Sequence, residues 1–234
     1  MNVNTFKQEY FKNRKWKCAP KKIVNSVVSE VMSVACEILP SHKSLTVLDI
    51  GCGQGEYSIE FSKYARKVVG VGPDFDSYKE AVKFRRKTKS KVTFINCPVE
   101  KYKTKSSFDI VLSLTTVEHM SHVEKSFKRI FELLKPGGFI YLTAPNKWWP
   151  YEYHYRLYFL SWLPLKLANF YVKTYGHRSS YEDSAYSKSY FGMKSLFDKF
   201  DCTYEFVLPR DLNSSYIGCG EQSFFYIQLS RSLD

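Results

Sequence analysis

No run of eighteen apolar residues occurs in this chain of 234, so no segment reads as a membrane-spanning helix. No apolar stretch follows the basic residues near its start, so no secretory leader is expected and the cytoplasm is the expected compartment. The six cysteines, at 18, 36, 52, 97, 202 and 219, include no close pair of metal-ligand spacing. Zinc is therefore not expected, and free thiols in a reducing compartment are. There is no internal repeat and no low-complexity linker, and the length suits one domain with a full core better than two catalytic domains. Acidic residues are in deficit, 23 against 35 Lys and Arg, leaving a net charge of +12 that favours an anionic partner such as nucleic acid, a membrane surface or an acidic substrate. Plain solubility accounts for the excess equally well, because the lysines are spread over residues 7–22, 63–67, 83–91 and 101–105 and form no single track.

Aromatic residues are in surplus at 17%, more than a plain core needs, and they cluster near the N-terminus and between residues 148 and 175. Such clustering suggests an apolar or stacking substrate pocket.

The most informative stretch is Val47-Leu48-Asp49-Ile50-Gly51-Cys52-Gly53-Gln54-Gly55-Glu56-Tyr57-Ser58, an apolar run followed by glycines at alternate positions. Glycines so spaced between a strand and a helix let the backbone turn sharply and approach a ligand closely. The dinucleotide fingerprint places its last glycine where Glu56 stands, and a pyrophosphate would be repelled by Asp49 and Glu56. The loop suits a cationic nucleoside instead, and S-adenosylmethionine, with its sulfonium and ammonium, is of that kind.

Around the loop, strand and helix patterns alternate: helix 21–39 ended by Pro40, strand 46–50, helix 55–65, strand 67–72, helix 76–86, strand 92–96, strand 108–114, helix 122–134 and strand 138–144. This alternation predicts a Rossmann-like, doubly wound α/β sheet, with ligands beyond the carboxyl ends of its strands. Residues 146–186 interrupt it with an aromatic segment carrying Pro150 and Pro164, and a helix at 189–200 and strands at 202–208 and 223–229 follow.

Three stretches together resemble the class I S-adenosylmethionine-dependent methyltransferases, in the group that includes quinone and other small-molecule methylases. They are the glycine loop, Phe108 to Ser113 followed by Val117-Glu118-His119-Met120, and Leu133-Leu134-Lys135-Pro136-Gly137-Gly138-Phe139-Ile140. The likeness covers residues 47 to 145. It implies a single methyltransferase domain with a mostly parallel sheet, an antiparallel final strand, an N-terminal cap segment and helix over residues 1–40, and a substrate lid formed by the 146–186 insertion.

The same resemblance assigns S-adenosylmethionine to Asp49, Gly51, Cys52, Gly53 and Gly55 at its methionine end, with Leu114 and Thr115 beneath the methionine chain. Val99 and Glu100 meet the adenine amino group and Phe75 packs on the ring, although Glu100 reads equally as a helix-start carboxylate. At the end of the second strand, Val69-Gly70-Val71-Gly72-Pro73-Asp74 lacks the carboxylate that normally grips the ribose, since Gly72 holds its place. Asp74 is named as its substitute, with Asp76 behind it.

Candidate general bases are His154, in Trp148-Trp149-Pro150-Tyr151-Glu152-Tyr153-His154, then His119, and more remotely His177. The resemblance to the quinone methylases also makes Glu118 a candidate metal ligand. No carboxylate cluster is visible beside it, so no metal is expected. The function these features imply is O-methylation of a small-molecule, sugar or lipid-linked acceptor. An RNA-modifying methyltransferase is the alternative, and a fold that has lost catalysis a third reading, carried by Gly72 alone. DNA is not an expected partner; the apolar face of Tyr158 to Leu167 with its flanking Lys and Arg reads first as a substrate lid or dimer contact and leaves peripheral membrane contact open.

Overall fold

The computed structural model describes residues 19–41, 43–152, 154–175, 180–181, 187–207 and 224–231. Residues 1–18, which carry the expected cap, lie outside them, as does His177. A seven-stranded sheet organises the described residues. Its strands are β1 (Thr46–Ile50), β2 (Lys67–Gly72), β3 (Thr93–Asn96), β4 (Phe108–Leu114), β5 (Leu134–Pro145), β8 (Cys202–Val207) and β9 (Phe224–Arg231), in the order β3-β2-β1-β4-β5-β9-β8. The first five are mutually parallel, and β9 runs against both of its neighbours. The switch point falls between β1 and β4, where the chain leaves β1 into the glycine loop. Parallel sheets of this kind place ligands there.

Strand β1 is buried along its whole length and alternates between two cores. Val47 joins the valine face of α1 (Lys21–Ile38), including Val27, Val31 and Val34, while Leu48 and Ile50 pack toward Phe127 and Ile130 of α4 (Val123–Leu133). Burial on both faces explains why its sequence is continuously apolar apart from Thr46 and Asp49.

Helix boundaries depart from the sequence pattern where single residues set them. Helix α2 covers only Glu56–Phe61, shorter than the expected 55–65: Gly55, left-handed at φ +85°, sets its start, and after Phe61 the chain tightens into a turn through Lys63 N–H to Glu60 O and Tyr64 N–H to Phe61 O. Helix α3 runs longer, Phe75–Thr88, since Asp74 caps its start and Lys89, left-handed, closes its end. Strand β5 begins at Leu134 rather than 138. The Lys-Pro-Gly-Gly turn is absorbed as a register shift against β4, between the pairs Phe108–Leu134 and Ile110–Phe139.

The aromatic insertion folds over the carboxyl end of β5 as a two-stranded hairpin, β6 (Tyr151–Glu152) and β7 (Leu157–Tyr158), followed by α5 (Leu165–Tyr175). It has its own small core of Tyr155, Leu157, Leu160, Ala168, Val172 and Tyr181. Helix α6 (Tyr190–Phe197) then returns the chain to the main core through Met193, Leu196 and Phe197.

Candidate active site

The glycine loop is anchored by β2, since the N–H groups of Gly51 and Cys52 both donate to Val71 O, at 2.8 and 3.2 Å. Asp49 is buried at the end of β1, where its Oδ2 accepts from Ser58 Oγ of α2 at 2.6 Å. Burial raises its pKa to about 6; the Ser58 hydroxyl and N–H oppose that rise, and Glu56 adds to it. An acid held this close to neutrality becomes a better anion when a cation arrives beside it.

The spacing of the three loop glycines predicts close approach at all of them, yet the structure divides them by two different reasons. A Cβ on Gly51 would lie 2.3 Å from Thr116 Oγ1, and one on Gly55 would lie 2.4 Å from the Phe94 ring of β3. Both are packing glycines. A Cβ on Gly53, at φ +51°, would meet nothing within 4 Å, so Gly53 is the member that faces open space. Cys52 lies against β2, and burial, chiefly, raises its thiol well above the usual range, which makes it inert.

At the end of β2, a Cβ on Gly72 would approach only Cys52, at 3.9 Å, so packing does not require a glycine here. The Gly72 carbonyl accepts from Asn96 Nδ2 of β3 at 3.0 Å. After Pro73, Asp74 uses Oδ2 to accept from Ser77 N–H at 2.9 Å, and Asp76 pairs with Lys79 at 2.7 Å. Phe75 is 59% exposed beside them, with the Tyr78 ring stacked at 6.3 Å and Lys79 Nζ 4.9 Å from its centroid. On the other flank Val99 is buried, and Glu100 accepts a short hydrogen bond from Ser126 of α4. Glu100 is therefore held by a neighbouring helix, a partner that neither of its sequence readings includes.

Strand β4 ends in backbone strain. Leu114 is buried, and Thr115 takes φ +47°, a left-handed conformation that a β-branched residue rarely adopts. Thr115 N–H donates to Thr143 O at 3.0 Å, and Thr115 Oγ1 donates to Leu114 O at 2.8 Å. The kink turns Thr116 back over the loop, where its hydroxyl donates to Ile50 O at 3.1 Å. A short 3-10 turn, Val117–His119, follows and carries Glu118 and His119.

The insertion brings His154 to this turn. The rings of His119 and His154 meet edge to face at 5.2 Å, and Glu118 lies close enough that one donor atom from each of the three residues falls within 4.8 Å of the others. Glu152 fixes His154: Oε1 holds Nδ1 at 2.8 Å while Oε2 accepts from Tyr155 N–H at 2.7 Å. Glu118 is buried with no hydrogen-bond partner on either carboxylate oxygen. Burial raises it to about 7, His154 partly counters the rise and Glu152 adds to it. One carboxylate and two imidazoles form a donor set that fits a divalent cation. The expectation of no metal rests on neighbours in sequence, and the cluster exists only once the hairpin closes.

Sequence reasoning assigns no role to Ser58, Thr116 or Glu152. Glu152 had a signal, standing two residues before a candidate base in an otherwise aromatic segment. Thr116 had none, since its role depends on the contact with Gly51.

The fold, with the glycine loop at its switch point, is that of a class I methyltransferase. A family model described as a methyltransferase domain matches residues 22–188, well over half of the chain, and the chain belongs to that family. Among curated proteins it is 29% identical over 162 residues to a ubiquinone biosynthesis O-methyltransferase of Bradyrhizobium sp. (strain ORS 278), covering 64% of each chain. It is 30% identical over 127 residues to the protein of that name from Pelagibacter ubique, covering 53% of this chain and 52% of the other. The chain thus spans between about half and just under two thirds of these relatives' length. Among solved structures, magnesium protoporphyrin IX methyltransferase from Synechocystis PCC 6803 with bound SAH superposes with a TM-score of 0.65 at 14% identity, over 99% of this chain and 100% of that one. An S-adenosylmethionine-dependent methyltransferase from Clostridium acetobutylicum gives 0.66 at 11% identity, over 98% of both. At such identities the likeness is one of fold.

Proposed function

We propose that this protein transfers a methyl group from S-adenosylmethionine to a hydroxyl of a small-molecule acceptor. The observation that carries the reading is the open Gly53 in a loop that touches, through Gly51 and Thr116, the turn bearing His119 and its partner His154. The donor cradle and His119 thereby sit on adjoining turns, and the hairpin brings His154 against His119. The cradle fits the cofactor: room above Gly53, a buried Asp49 whose raised pKa suits a cation, and an exposed Phe75 for a ring to stack on. When bound, S-adenosylmethionine would supply an electrophilic methyl group. Asp49, Gly51, Cys52, Gly53 and Gly55 would hold its methionine end, Leu114 and Thr115 would support the chain, and Gly72, Pro73, Asp74, Phe75, Val99 and Glu100 would frame the nucleoside.

His154 would remove the acceptor's proton. Glu152 holds Nδ1, which leaves Nε2 to accept and places a carboxylate behind the imidazolium that results. The names of the curated relatives make a quinol-type ring the first acceptor class to test, and they favour a small molecule over RNA.

A second reading concerns the same cluster. Glu118, unpartnered and buried, would hold a divalent cation together with His119 and His154, and its Lewis acidity would lower the acceptor hydroxyl's pKa. The test of the function is transfer of an isotopically labelled methyl group to the oxygen of a catechol or quinol. The label is expected on the acceptor with the wild type and not with Gly53→Val; label on neither a hydroxylated ring nor any other small hydroxyl would remove the reading.

A further inference from the structure

The outer side of the aromatic insertion is exposed, and no described residue covers it. Trp148, Tyr158, Phe159 and Trp162 are 54%, 61%, 49% and 45% exposed. They form one connected cluster, with Trp148 against Trp162 at 6.3 Å, Phe159 against Trp162 at 4.9 Å and Tyr158 against Phe159 at 6.2 Å. Phe159 takes φ +57°, unusual for an aromatic residue, so the turn holds an apolar ring outward at a conformational cost.

Helix α5 continues the surface. It buries Ala168 and Val172 and leaves Leu167 at 56% and Phe170 at 68% exposed, and Lys166 and Lys173, also exposed, fall on that outer side by helical spacing. Between residues 146 and 175 the basic residues are Lys147, Arg156, Lys166 and Lys173, and the sole carboxylate is Glu152, which is turned inward and buried against His154. Over residues 146–175 the described outer side is thus apolar, aromatic and positive.

We infer that this face docks on an anionic phospholipid bilayer surface, with the indoles and Tyr158 at the headgroup boundary and Leu167 and Phe170 below it. Indoles, aliphatic side chains and lysines on one face match the three zones of a negatively charged leaflet: interface, acyl boundary and headgroup charge. A second copy of the chain fits less well, because a twofold contact would oppose the like charges of Lys166 and Lys173 with no exposed carboxylate among the described residues of this face to meet them. Nucleic acid would meet the charge but offer Leu167 and Phe170 no apolar phase. No described helix is long and apolar enough to cross a membrane, so the contact is peripheral. The inference rests on the insertion's surface and not on methyl transfer, so it stands or falls separately from the proposed reaction.

The test is co-sedimentation of the full chain with vesicles of mixed phosphatidylglycerol and phosphatidylcholine, and with phosphatidylcholine alone. The chain is expected to pellet with the anionic vesicles, much more weakly with the neutral ones, and to be released by salt. Leu167→Glu with Phe170→Glu should reduce binding by about tenfold or more. Lys166→Glu with Lys173→Glu changes only exposed charges, and should do the same with an unchanged melting temperature. Tryptophan emission should shift to the blue on anionic vesicles, and less so in Trp148→Phe. Absence of sedimentation, equal binding to both vesicle types, or undiminished binding by the lysine pair would overturn the inference. So would light scattering showing that the variants convert a dimer to a monomer, or RNA displacing the vesicles while itself holding the patch.

Discussion

Thr116 stands where a side chain on Gly51 would have to go, 2.3 Å from the position of its Cβ, and thereby fastens the glycine loop to the end of β4. The sequence alone suggests that valine at either Gly51 or Gly53 removes cofactor binding from a folded protein, and the structure separates the two. Gly51→Val is expected to destabilise the fold by roughly 2–4 kcal/mol, through the clash and the positive φ together. Gly53→Val should cost only about 1–2 kcal/mol, from its left-handed backbone. Thermal melts check this, and equal losses would mean that Thr116 yields freely.

Asp49 offers a pH test. Its pKa is raised from 3.8 to about 6, so the folded state prefers the protonated form. The stability this preference contributes is present below the ordinary value and lost as pH rises through about 6. Asp49→Asn keeps an acceptor for Ser58 and should therefore stabilise the protein at neutral pH by ~1–3 kcal/mol, with little effect near pH 4. A bound cation would favour the carboxylate, so affinity for S-adenosylmethionine should fall as pH drops below about 6, and the asparagine variant should lose that dependence. S-adenosylhomocysteine, without the sulfonium, should respond less. An affinity independent of pH in the wild type would take Asp49 out of the site.

At Gly72 there is room for a carboxylate, and Asp74 and Asp76 are engaged as a helix cap and in a surface pair. Gly72→Asp is expected to tighten S-adenosylmethionine binding several-fold by giving the ribose two charge-assisted hydrogen bonds. Asp74→Ala should chiefly cost about 1 kcal/mol of stability by uncapping α3. If Asp74 grips the ribose in addition, titration calorimetry will show Gly72→Asp weakening affinity through like charge and Asp74→Ala weakening it as well.

The base and metal readings part at the His154 cluster. His154→Ala should lower turnover by about 10²–10⁴-fold with cofactor affinity retained, and part of the rate should return at high pH as the acceptor ionises unaided. Glu152→Gln should lower it less, since the amide keeps one acceptor oxygen for Nδ1 or for Tyr155 N–H but loses the charge behind the imidazole. If a cation is held, divalent ions will raise the melting temperature of the wild type and not of Glu118→Gln, and a chelator will abolish activity reversibly. Activity indifferent to chelation leaves His154 as the base.

Much of this architecture was legible because the signals are local. The strands 46–50, 67–72 and 108–114 fall where the apolar runs put them, and the loop follows β1 as its glycines require. The insertion was legible only as an interruption. Strands of two residues carry no periodicity, and the hairpin depends on the Tyr151–Tyr158 ring contact and on left-handed backbone at Arg156 and Phe159. Neither leaves a mark in the sequence. Asp74 shows the opposite difficulty, because a carboxylate opening a helix satisfies a cap as readily as a ribose, and only the contact to Ser77 reveals which oxygen is in use. The Glu118–His119–His154 cluster joins residues about 35 apart in the chain, and Glu118 without its neighbours reads as one acidic residue in a common motif.

The central claim is that S-adenosylmethionine lies above Gly53, and calorimetric titration of the cofactor into the wild type and Gly53→Val tests it most directly. The account predicts saturable binding of both S-adenosylmethionine and S-adenosylhomocysteine by the wild type, and its loss in a variant whose melting curve and circular dichroism remain those of a folded protein. No binding by the wild type, or undiminished binding by folded Gly53→Val, would contradict it.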